Sequence, residues 1–241
     1  MAGNRILIFS SSRVGSGDYL QSVVPIVNEF LGDRPLTIAF IPFAAVDNDF
    51  AAYALMVRKG FTDVPYNIET VEPGNAKQVL ERAGAIMVGG GNTFKLLHDI
   101  YELKLLDVMR DKINTGAAYI GWSAGANIVG PSIGTTNDMP IIEPKSFNAL
   151  GLLPFQINPH YNNEKPAGHN GETRDQRLQE FIQLNPQVPI VALPEGAALK
   201  LDNGILELAG NCAALLFSGK GDSSQIEKKE IQPKEDLSYL L

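Results

Sequence analysis

Residues 121–125 read Gly-Trp-Ser-Ala-Gly, which puts Ser123 at the centre of a G-x-S-x-G pentapeptide. Flanking glycines permit a sharp strand-to-helix turn, which lifts the serine hydroxyl into the open above the sheet. The apolar run 117–120 reads as a buried strand, and the stretch after Ser123 can start a helix. The chemistry this predicts is attack of a serine on an acyl carbon.

Such a serine needs a base, and the chain offers three histidines. His98 falls beside Leu96 and Leu97 in a helical segment and reads as an ordinary helix residue. His169 lies in a polar loop and reads as solvated. His160 follows Phe-Gln-Ile-Asn-Pro at 155–159, the carboxyl end of a predicted strand. Sites of parallel α/β sheets gather outside such strand ends, so His160 is the candidate base. Two carboxylates could orient the imidazole: Glu195, after the apolar run 189–194, and Asp138, in Thr-Thr-Asn-Asp-Met-Pro at 135–140. The residues alone do not separate them, and each could equally cap a nearby backbone amide. Oxyanion donors are the amide of Ala124 and the turn at Gly90 and Gly91, within Gly-Gly-Gly-Asn at 89–92. Glycines before a helix also suit a phosphate loop, but no G-x-G-x-x-G or Walker pattern is present.

The elements that must hold these residues alternate. Strands are predicted at 6–9, 36–42, 67–71 and 85–88, with helices at 19–31, 48–59, 76–82 and 93–104 between and after them. The elbow strand and its helix follow. Later come strands at 154–158 and 188–193 and a helix at 172–184. Alternating residues around Asn203-Gly204, over 199–208, predict a hairpin. The expected fold class is α/β: three layers, a mainly parallel sheet with helices on both faces, and an antiparallel hairpin near the C-terminus. One domain over 1–220 and a polar tail over 221–241 of little functional weight complete the expectation.

The chain has 241 residues, 44% of them apolar, and a net charge of −7. An acidic protein lacks the basic face a nucleic-acid partner requires. An acidic substrate would need a local cation. The single cysteine, Cys212, lies in an apolar run and is expected as an inert core residue. No apolar stretch approaches a membrane span, and the chain opens directly on a strand-like run, so a cytoplasmic protein without membrane partners is expected. The scattered histidines lack metal-ligand spacing, so neither a metal nor a cofactor is expected.

Seven segments in one order resemble the peptidase E family of Ser-His-Glu peptidases. They are Ile-Pro-Phe-Ala at 41–44, Val-Gly-Gly-Gly-Asn-Thr-Phe at 88–94, Tyr-Ile-Gly-Trp-Ser-Ala-Gly-Ala-Asn at 119–127 and Thr-Thr-Asn-Asp-Met-Pro-Ile at 135–141. Gln-Ile-Asn-Pro-His at 156–160, Gly-Glu-Thr-Arg at 171–174 and Leu-Pro-Glu-Gly at 193–196 complete the set. The resemblance implies a fold like class I glutamine amidotransferases, with serine in place of their cysteine. It implies a triad of Ser123, His160 and Glu195, and raises Glu195 above Asp138. It implies hydrolysis of dipeptides with N-terminal aspartate, whose side-chain carboxylate Arg174 would bind. A guanidinium offers two parallel donors to a carboxylate, so the chemistry agrees. Without the family, Arg174 reads as an exposed helix residue paired with Glu172 or Glu180. Glu172 is the candidate for the substrate amine. A small acidic peptide is thus the expected partner, to a monomer or a homodimer. Two rivals stand beside this reading: a cyanophycinase-like enzyme for β-aspartyl peptides, and a non-catalytic binding protein on the same fold.

Overall fold

The computed structural model describes residues 3–165, 167, 168, 170–220 and 222–241; His169 lies outside them. The first half builds β1 (Ile6–Phe9), α1 (Val24–Leu31), β2 (Leu36–Ile41), α2 (Phe50–Gly60), β3 (Tyr66–Thr70), α3 (Ala76–Arg82) and β4 (Ala85–Val88). Then come α4 (Thr93–Glu102), α5 (Leu106–Asn114), β5 (Ala118–Trp122) and the short α6 (Ala124–Asn127). The second half adds β6 (Gln156–Asn158), α7 (Arg174–Leu184), β7 (Ile190–Ala192), β8 (Ala197–Asp202), β9 (Ile205–Gly210), β10 (Ala214–Lys220) and β11 (Asp222–Ile231).

Seven strands form the main sheet in the order β3-β2-β4-β5-β1-β8-β9. The first five run parallel, and β8 and β9 close one edge antiparallel. The elbow strand β5 lies between β4 and β1, both parallel to it. Alternate strand residues serve opposite faces. Ile6, Ile8, Ile86 and Val88 pack with Val79 and Leu80 of α3, Leu96 and Leu97 of α4, and Met109 and Ile113 of α5. Leu7, Phe9, Ile38, Phe40 and Met87 pack with Val27 and Phe30 of α1 and Ala54 and Val57 of α2. A parallel sheet buried on both sides needs such near-continuous apolar strands, and these have them. The three layers and the C-terminal hairpin match the expectation. The hairpin turns at Asn203 and Gly204, whose φ angles of 52° and 78° are those of a primed two-residue turn.

A second sheet, of four strands in the order β11-β10-β7-β6, was not legible in the sequence. The strands expected at 154–158 and 188–193 form, but they belong here as β6 and β7, not to the main sheet. One face of this sheet carries Ile190, Ala192 and Phe217 against Leu178 and Ile182 of α7. Its other face sends Ile157, Val191 and Leu216 into the main core. The division expected at residue 220 falls inside the β10–β11 hairpin. Ile231 and Leu237 from the supposed tail are fully buried, so the polar C-terminus is part of the fold. Helix α1 begins at Val24, later than expected, with Pro25 in its first turn, where the missing amide proton costs nothing.

Candidate active site

Strand β5 ends at Trp122, and Ser123 turns the chain into α6 with φ 55° and ψ −114°. That conformation is outside the comfortable regions for a residue with a Cβ and stores about 1–3 kcal/mol. The flanking glycines are demanded by close approach. A Cβ on Gly121 would lie 2.5 Å from the Gly125 carbonyl oxygen, and one on Gly125 would lie 2.3 Å from that of Val88. The elbow therefore presses directly on the neighbouring strand.

His160 stands two residues past β6, also at positive φ, 52°. Its Nε2 lies 3.0 Å from Ser123 Oγ. Its Nδ1 lies 3.1 Å from Glu195 Oε1. Glu195 occupies the turn between β7 and β8, and Gly196 behind it has φ 90°. The serine thus comes from one sheet, the histidine from the other, and the glutamate from the segment linking them.

Ser10, just past β1 and fully buried, pins these segments together. Its hydroxyl accepts from the His160 amide at 2.8 Å and donates to the Leu193 carbonyl at 2.7 Å. Its own amide donates to the Ala197 carbonyl at 3.0 Å. In the sequence, the only signal for Ser10 is its place at the end of a strand.

Asp138 takes no part in the hydrogen bonds that link Ser123, His160 and Glu195. Its Oδ2 accepts from the Thr93 amide at 2.7 Å and the Thr93 hydroxyl at 2.6 Å, which caps the start of α4. The imidazole nitrogen that could have used it is occupied by Glu195. Neighbours of Asp138 brace the histidine strand instead. Asn137 Nδ2 donates to the Pro159 carbonyl at 2.8 Å, and Asn158 Nδ2 donates to the Thr135 carbonyl at 2.8 Å. The 135–138 loop therefore joins the glycine-rich loop before α4 to the segment carrying His160.

A Cβ on Gly90 would lie 2.9 Å from Ser123 Cβ, so the glycine turn runs beside the serine. The amides of Gly91 and Ala124 take no backbone hydrogen-bond partner among the described residues. Ser123, His160 and Gly90 open on a cleft of about 510 Å³ walled by Tyr19, Tyr53 and Trp122, with Asp47 and Asp49 at its rim. Neither aspartate was singled out in the sequence.

Arg174, the first residue of α7, reaches the backbone of His160. Its Nη1 donates to Asn158 Oδ1 at 3.3 Å and to the His160 carbonyl at 3.5 Å. Burial, then the like charge of Arg177, holds the guanidinium below its usual range. It has no carboxylate partner among the described residues. Glu172 is exposed and lies 3.7 Å from Arg177 Nε, so its ion pair is with Arg177 and not with Arg174. His98 Nδ1 meets the Glu143 carbonyl at 3.0 Å and remains a helix residue. Cys212 is only half-buried, a correction to its expected place in the core. Its thiol donates to the Glu195 carbonyl at 3.4 Å, and burial pushes its titration up. No group of metal-ligating side chains occurs among the described residues, and none of their helices is long and apolar enough to cross a membrane.

An α/β sheet that lifts a serine out of a strand–helix elbow, toward a histidine held by a carboxylate, defines a serine hydrolase. Comparison with known proteins gives the family. Residues 6–209 match the model of Peptidase family S51, and the chain belongs to that family. A peptidase E of a Nostoc species is 46% identical over 238 residues, covering 98% of this chain and 96% of that one. A peptidase E of Haemophilus influenzae is 48% identical over 202 residues, covering 83% and 93%. Among solved structures, a protein of Listeria monocytogenes described as a peptidase E protein superposes with a TM-score of 0.68 at 25% identity, covering 87% of this chain and 99% of that one. A peptidase from an acI-B1 actinobacterium shares the fold at 15% identity, with a TM-score of 0.67, covering 98% and 97%.

Proposed function

We propose that the chain hydrolyses dipeptides with N-terminal aspartate through an acyl-enzyme on Ser123. The observation that carries the specificity is Arg174, a half-buried guanidinium without a carboxylate partner among the described residues, bonded to the carbonyl of the base. A charge left in that state is suited to a ligand carboxylate. The family membership and the peptidase E relatives support the same reading.

The triad reading rests on the hydrogen-bond chain from Ser123 through His160 to Glu195. With Nδ1–H donating to Glu195, Nε2 is free to accept the Ser123 proton as the hydroxyl attacks the peptide carbonyl. The amides of Ala124 and the Gly90–Gly91 turn receive the oxyanion. Protonated His160 then gives its proton to the leaving amine, and the same residue activates water to release aspartate. A lone cysteine in 241 residues suits a reducing compartment, and the cytoplasm is the location we propose.

The test compares Asp-Leu, β-Asp-Arg and Leu-Leu with the wild type and Ser123→Ala. Hydrolysis of Asp-Leu that vanishes in Ser123→Ala is the expected result. Faster cleavage of β-Asp-Arg would move the chain to the β-aspartyl reading. Undiminished Asp-Leu hydrolysis by Ser123→Ala would overturn the nucleophile.

A further inference from the structure

Tyr53 projects from α2 into the wall of the cleft, where its hydroxyl donates to the Gly90 carbonyl at 3.0 Å. In a trans peptide the carbonyl and the following N–H point in opposite directions. Fixing the Gly90 oxygen therefore fixes the direction of the Gly91 amide. That control matters because the peptide is flanked by glycine on both sides and can turn over at little steric cost. Gly91 sits at φ 136°, a region closed to other residues. A turned-over peptide would present an oxygen where an amide proton is wanted.

We propose that Tyr53 is a positioning residue for this reaction: its hydroxyl latches the Gly90–Gly91 peptide with the N–H facing the space above Ser123. The inference rests on the reading of Ser123 as nucleophile and the glycine turn as oxyanion donor. The surroundings are built for the latch. A Cβ on Gly89 would lie 2.4 Å from Tyr53 Oη, so only glycine leaves the hydroxyl its place. Phe40 meets the Tyr53 ring edge-on at 5.1 Å and an interplanar angle of 87°, which fixes the ring. Burial raises the titration of the phenol, so it stays a donor throughout the working range. Tyr53 has no hydrogen bond to Ser123, His160 or Glu195 among the described residues.

Tyr53→Phe keeps the ring and removes the latch. The readouts are kcat and KM on Asp-Leu, the acylation rate with p-nitrophenyl acetate, and the affinity for the product aspartate. A lost oxyanion donor costs about 10²–10³ in turnover, and a donor retained but unlatched should cost less, roughly 10- to 100-fold. We expect that loss in kcat and in ester acylation alike, with KM and aspartate affinity within about twofold of wild type. Gly89→Ala pushes the hydroxyl away while retaining Tyr53, and should give the same signature. A kcat within twofold of wild type in Tyr53→Phe, or a loss carried by KM and aspartate affinity, would overturn the latch. If the wild type cleaves the ester but not Asp-Leu, the substrate reading fails and the ester arm still reads the latch. Ester cleavage that survives Ser123→Ala would remove both.

Discussion

Arg174→Ala should destroy the preference for aspartate while sparing the catalytic machinery. The two bonds Arg174 makes within the protein are long, 3.3 and 3.5 Å, and involve one nitrogen. Most of its five donors are thus free for a ligand. A charge-assisted hydrogen bond is worth about 1.5–3 kcal/mol, and the half-exposed setting argues for the lower end, so a bidentate pair gives about 3 kcal/mol. Coulomb's law gives about 4 kcal/mol for unit charges 4 Å apart at an effective dielectric of 20, which agrees. At about 1.4 kcal/mol per tenfold, the loss in kcat/KM on Asp-Leu is roughly 10²–10³-fold. The assay sets Asp-Leu against Asn-Leu, which keeps the shape and drops the charge. Asn-Leu turnover should change by less than about threefold, since the deleted contacts within the protein are weak. Equal losses on both peptides would show that Arg174 holds His160 in place and binds nothing.

Three further perturbations separate the parts of the site. Glu195→Gln should lower kcat by orders of magnitude, because the imidazole loses the group that holds its tautomer, whereas Asp138→Asn should act mainly through a weakened α4 cap; the reverse ranking, read in kcat and urea unfolding, would hand Asp138 the acid's role. Ser10→Ala strips the His160 amide of its partner, while the Leu193 carbonyl keeps the Tyr161 amide at 2.9 Å, which should lower unfolding free energy by about 1–3 kcal/mol and depress kcat together, measured by urea titration and dipeptide turnover. Deletion of residues 221–241 strips the buried Ile231 and Leu237, each worth about 1.5–3 kcal/mol, and should yield an aggregated or unfolded chain; a folded, active truncation measured by circular dichroism would show that this segment is dispensable.

The features legible in the sequence were local ones. The G-x-S-x-G elbow, the apolar strands of the main sheet, the Asn203-Gly204 turn and the Gly89–Gly91 run each declare themselves within a few residues, because each is a demand of backbone geometry. The acid was not legible from residue types, since Asp138 and Glu195 both follow loop signals and only the meeting of two sheets decides which reaches His160. Ser10 was invisible for the same reason: its partners lie 150 and 183 positions away. The second sheet hid behind strands of three residues, Gln156–Asn158 and Ile190–Ala192, which carry no sign of which sheet they join. Strand β11 hid behind its charges, which an edge strand carries to discourage pairing with other chains. Cys212 opens an apolar run that points to the core, yet its thiol sits at the run's half-exposed start, against the Glu195 carbonyl.

The backbone of Ser123 has an evolutionary corollary. At φ 55° and ψ −114° a side chain is a burden that glycine would not bear. Ser123→Gly should therefore melt higher than the wild type while doing no chemistry. A copy released from catalysis would gain from that exchange at a single codon and meet no resistance from the fold. A serine kept in such a corner marks a protein whose stability is held below what its own scaffold allows, in favour of a hydroxyl in the open.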